Sequence, residues 1–101
     1  MDKAQRSEAF APAHPGELLA EVVLPATGKS RSEIARLLGI SRQSLYDIMD
    51  CKQSVTPAMA VRFGKLFGNG PDLWLNMQAR HDLWIAKRDV DVSAIPTLAV
   101  A

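Results

Sequence analysis

The stretch that decides the fold is Arg31-Ser-Glu-Ile-Ala-Arg-Leu-Leu-Gly39-Ile-Ser-Arg-Gln-Ser-Leu-Tyr-Asp-Ile-Met-Asp50. It reads as two short helices joined by a tight turn. Ile34, Ala35 and Leu38 share one face of the first at helical spacing, and Leu45 and Ile48 share one face of the second. Gly39 can adopt the left-handed conformation that ends a helix, Ile40 is an apolar plug, and Ser41 is a good N-cap for the second helix. Small Ala35 allows the two helices to approach closely. Two capped helices around a glycine turn are the pattern of a helix-turn-helix whose second helix enters a DNA groove.

Working outward, residues 1–13 lack periodicity and are expected to be a flexible N-terminus. His14-Pro15-Gly16-Glu17 opens the first helix, with Pro15 in a first turn where its missing N–H costs nothing. Leu18, Leu19, Val22 and Val23 form its apolar face, and Pro25 is expected to stop it. Ser30 and Glu33 make a Ser-x-x-Glu capping box at the start of the second helix. The third runs from Ser41 or Arg42 to about Asp50. Thr56-Pro57 starts the fourth, whose stripe is Met59, Ala60, Phe63, Leu66 and Phe67, and Gly68-Asn69-Gly70 ends it. Pro71-Asp72 opens a fifth, long helix reaching Lys87 or Arg88. The domain thus spans residues 14–88, and residues 89–101 form a β-branched, apolar tail. Strand, partner-pairing segment and frayed end all remain open for that tail; Pro96 limits any strand to an edge.

A chain of 101 residues supports one domain with a modest core. Its single cysteine, Cys51, excludes an intrachain disulfide and suits a reducing cytoplasm. No apolar run approaches a membrane span, and the polar N-terminus is not expected to act as a signal peptide. The net charge of +1 is unevenly spread. Residues 1–28 are net negative, and the positive excess falls on residues 29–52, where Lys29, Arg31, Arg36, Arg42 and Lys52 outnumber Glu33, Asp47 and Asp50. Cys51, His14 and His81 lack the spacing of a metal or nucleophilic site, so no catalysis, metal or cofactor is expected.

From His14 to Lys87 the chain resembles the HigA-type antitoxins, a branch of the lambda-repressor-like helix-turn-helix proteins. Three blocks carry the resemblance: His14-Pro15-Gly16-Glu17-Leu18-Leu19, Leu38-Gly39-Ile40-Ser41-Arg42, and Trp74-Leu75-Asn76-Met77-Gln78-Ala79 followed by Asp82-Leu83-Trp84. The resemblance implies an all-α, five-helix domain with a long C-terminal helix. It also implies a homodimer, a cognate mRNA-cutting toxin that the chain neutralises, and repression of the shared operon. Two departures stand out. Asp50-Cys51-Lys52 replaces the family's frequent Asn-Gly-Lys after the recognition helix, at a cost of about 1 kcal/mol if Cys51 keeps the left-handed position. His81 stands where an aromatic such as Tyr is common.

The recognition helix offers Ser41, Arg42, Gln43, Ser44, Tyr46 and Asp47 as base-reading residues: Arg suits guanine, Gln suits adenine, and Asp could accept from cytosine. Lys29, Arg31 and Lys52 flank it as phosphate contacts. Trp74, Met77, His81 and Trp84, at intervals of three, four and three, form a stripe expected to make the dimer interface. The leading expectation is a cytoplasmic, nucleoid-associated antitoxin that places two recognition helices on palindromic operator DNA. A stand-alone helix-turn-helix regulator without a toxin is the alternative. A protein-interaction module that has lost DNA is a third reading, motivated by the mild charge and by Asp47 and Asp50.

Overall fold

The computed structural model describes residues 11–100. Among them the fold is all-helical, with five helices and no strand. Helix α1 covers residues 15–27: an α turn over Pro15–Leu18, a π turn over Leu19–Val23 and a further α turn over Leu24–Thr27. After it come α2 (Arg31–Leu38), α3 (Arg42–Met49), α4 (Pro57–Phe67) and α5 (Pro71–Asp89).

Pro25 does not stop α1, as the sequence led us to expect. Proline lacks an N–H and its ring crowds the carbonyl four residues back. The preceding π turn absorbs this conflict: the Leu24 N–H reaches back five residues to the Leu19 carbonyl. The helix ends two residues later, at Thr27, and is capped by Gly28 in the left-handed region (φ 68°). The wider turn also rotates the side chains. Leu19 and Leu24 are buried, whereas Val22, expected on the inner face, is exposed.

The other ends obey their capping chemistry. Ser30, Ser41 and Thr56 each accept the N–H of the residue three further on. The Ser30–Glu33 box is only half formed, because the Glu33 carboxylate pairs with Arg36 instead. Gly39 and Ile40 send their N–H groups to Arg36 and Ala35, closing α2 in a Schellman arrangement.

The core lies where the five helices meet. Leu19, Ile34, Leu45, Ile48, Phe63 and Trp74 are almost completely excluded from solvent. Trp74 is seated edge-on against Phe63 at 5.0 Å and tilted against Phe67 at 5.8 Å, and its Nε1–H donates to Asn69. This corrects the expectation that Trp74 serves a dimer interface: its ring fills the core of its own chain. Gly64 permits a close approach, since a Cβ there would lie 2.4 Å from the backbone of the α4–α5 turn.

The expected flexible segment 1–13 falls in two parts. Residues 1–10 lie outside the described residues. Residues 11–13 are half-buried, and the Pro12 carbonyl accepts a 2.7 Å hydrogen bond from His81 Nδ1 on α5, so the packed domain begins ahead of His14. At the other end, residues 90–100 form no strand. A turn joins Ile95 N–H to the Val92 carbonyl, and Val92, Ile95, Leu98 and Val100 are exposed. Among the described residues no helix is long and apolar enough to cross a membrane.

Candidate nucleic-acid interface

Helix α3 is held from beneath by Leu45, Ile48 and Met49, all buried against the core. Two further contacts fix its C-terminal end. Gly16, on the first turn of α1, sits directly on the Ile48 carbonyl: a Cβ at Gly16 would lie 1.8 Å from that oxygen. The Pro-Gly-Glu block therefore has a packing reason, because only glycine lets α1 rest on the exit of α3. Beyond that exit, buried Gln78 of α5 accepts the Val55 N–H at 2.8 Å through Oε1 and donates to Asp82 through Nε2. Gln78 thus pins the α3–α4 connection to the fifth helix. Sequence spacing singled out neither Gly16 nor Gln78 as a support of α3, though a polar residue in an apolar block was a usable signal for Gln78.

The turn between α2 and α3 gains a support with no signature in the sequence. Arg62 of α4 donates from Nη1 to the Leu38 carbonyl at 2.7 Å, satisfying a last-turn acceptor of α2. After α3, Cys51 occupies the left-handed region (φ 62°), the position the sequence marked as one for glycine. The residue is exposed, yet surrounding protein desolvates its sulfur, and the Glu17 and Asp50 carboxylates add to this, pushing the thiol above its ordinary pKa range. That environment is opposite to an activated nucleophile's.

The outward face of α3 carries the proposed readers at differing freedom. Arg42 is exposed and makes no hydrogen bond or ion pair among the described residues. Ser41 caps Ser44 N–H and donates its hydroxyl to Ser44 Oγ, so both serines are engaged with each other. Gln43 donates to Asp47. Half-buried Tyr46 packs against the core and carries the Arg31 guanidinium 5.3 Å over its ring, which joins the start of α2 to the middle of α3. Lys29 and Lys52 are exposed at the two flanks of the unit. Arg36, by contrast, is paired with Glu33, and the guanidinium holds that carboxyl below its usual range.

The remaining residues of the α5 stripe separate. Met77 and Trp84 are half-buried, and Trp84 carries Arg88 over its ring at 5.2 Å. His81 is used inside the chain. Besides its bond to Pro12, its ring meets that of His14 edge-on at 5.1 Å. His14 is buried and N-caps α1, accepting the Gly16 N–H through Nδ1 at 2.9 Å. Burial, and next the neighbouring His81, hold His14 below its ordinary pKa. Among the described residues no three His, Cys, Asp or Glu side chains converge as a metal site.

A capped, outward-facing helix carrying Arg42 and Gln43, seated on a second helix across a Gly39 turn, makes this a helix-turn-helix protein. No protein-family model matches the sequence. The chain is 36% identical over 73 residues to an uncharacterised HTH-type transcriptional regulator of Haemophilus influenzae, covering 72% of this chain and 68% of that one. It is 32% identical to an addiction-module antidote protein of the HigA family from Coxiella burnetii, with a TM-score of 0.76 over 88% of this chain and 99% of that one. It superposes with a TM-score of 0.80, at 30% identity, on antitoxin GraA in complex with its operator, covering 91% of this chain and 95% of that one. The chain belongs to the HigA family of helix-turn-helix antitoxins.

Proposed function

We propose that this chain is a DNA-binding antitoxin. As a dimer it sets two α3 helices into successive major grooves of a palindromic operator, about 34 Å apart, represses its own operon and neutralises the toxin encoded beside it. It acts by binding, without a catalytic step of its own, in the cytoplasm. The observation that carries this reading is the free, exposed Arg42 beside Gln43 at the capped start of α3, on a fold that matches an operator-bound antitoxin. Arg42 and Gln43 are the base readers, whereas Lys29, Arg31 and Lys52 serve phosphates. The dimer face is the outer side of α5 bearing Met77 and Trp84, with exposed Leu73 and Leu83 beside them.

The test is a gel shift on the DNA upstream of the gene. Wild type retards that fragment at low salt, and Arg42→Ala with Gln43→Ala abolishes specific retardation while the helical circular dichroism spectrum is kept. Absence of any retarded species for the wild type would overturn the DNA reading. A stand-alone regulator without a toxin is the second reading, supported by the relative from Haemophilus influenzae, which carries only a regulator's name. Co-expression with the adjacent short reading frame separates the two: co-purification and growth rescue favour the antitoxin.

A further inference from the structure

On the outward face of α3 the side-chain amide of Gln43 donates from Nε2 to Oδ1 of Asp47, one turn on, at 2.8 Å. A glutamine amide has an oxygen on one branch and an NH2 on the other, and its shape alone does not decide which way round it sits. An ionised carboxylate does decide, because it only accepts. Nε2 must therefore face Asp47, leaving Oε1 and the second N–H of Nε2 for a ligand. One acceptor and one donor, side by side, match the major-groove edge of adenine, where N6 donates and N7 accepts. Guanine offers two acceptors there, and its O6 would meet Oε1 acceptor to acceptor.

Asp47 is a firm support for this task. The residue is half-buried, and its main-chain carbonyl receives the N–H groups of both Lys52 and Gln53, at 2.8 and 3.1 Å. The residue is thereby tied to the turn that leaves α3. Its carboxylate is also poorly suited to lie against phosphates on its own. Resting on the reading of α3 as the DNA-reading helix, we propose that Asp47 is a positioning residue: it orients the Gln43 amide for adenine and does not itself read a base. This reassigns Asp47 from the cytosine contact that its chemistry first suggested.

Selection of binding sites from a randomised duplex pool tests the assignment, using wild type, Gln43→Ala, Asp47→Ala, Asp47→Glu and the Gln43→Ala/Asp47→Ala double variant. Wild type enriches adenine at one position of each half-site. Asp47→Ala lowers adenine-over-guanine discrimination there by about tenfold and leaves the other positions unchanged. Asp47→Glu, which keeps a carboxylate acceptor, retains the preference to within about threefold. With Gln43 already removed, Asp47→Ala changes nothing further at that position. Should Asp47→Ala fail to melt cooperatively, Asp47→Asn substitutes, since it keeps the shape but lets the Gln43 amide turn either way. An equal effect of Asp47→Ala with and without Gln43, or a uniform loss across all sequences, overturns the positioning role while leaving the DNA reading intact. A wild-type protein that enriches no shared sequence overturns both.

Discussion

Gly16 has no room for a methyl group, and its neighbour there is backbone that cannot rotate away. Gly16→Ala forces α1 off the Ile48 carbonyl. The expected loss is about 3 kcal/mol, measured by urea unfolding. Cys51 presents the opposite case. With φ at 62° it has a side chain where none is favoured; the residue is exposed, and the Glu17 main chain hydrogen-bonds its sulfur. Cys51→Gly relieves about 1 kcal/mol of left-handed strain, and after glycine's larger entropy loss on folding the net gain is at most about 0.5 kcal/mol, seen as a melting temperature that is unchanged or slightly higher. Both roles sit unevenly in the sequence. The left-handed site at residue 51 was legible because a glycine is the ordinary choice there. The Gly16 contact was not, because Gly16 and Ile48 are brought together by tertiary packing that no local pattern encodes.

Helix ends were the most legible elements. Ser30, Ser41, Thr56-Pro57 and Gly39 act locally, so the chemistry that caps each helix is written within four residues of it. Helix α1 departs from its local signals. Pro25 reads as a stop, and only the π turn, which costs a shift of register and the exposure of Val22, lets the helix pass it. The stripe on α5 was half legible. Periodicity finds an apolar helix but does not say which side its own core claims, and the Phe63–Phe67 pair claims Trp74. The supports from distant helices carry a prediction of their own. Gln78→Ala strands the buried Val55 N–H and destabilises the fold by about 2 kcal/mol in thermal or urea melts.

For the molecule as a whole, two consequences are measurable. His14 is held below its ordinary pKa near 6.5 when folded, so the unfolded chain takes up a proton first. The stability contributed by neutral His14 is complete above that value and declines as pH falls below it, until folded His14 itself protonates. Melts between pH 7.5 and 5.5 should show this decline, and His14→Asn, which keeps a capping oxygen but does not titrate, should flatten it. The outer face of α5 supplies the second. Trp84→Glu places a charge on the proposed dimer face without entering the core. Light scattering should then report a monomer, and operator affinity should fall while helicity stays. The seat of Gly16 on Ile48 also has a mechanical meaning. Pro12 is tied to α5, His14 caps α1, and Gly16 leaves no room for a Cβ between α1 and the Ile48 carbonyl at the end of α3. These short contacts connect the segment around residue 12 to the exit of the reading helix, so the two are expected to move together.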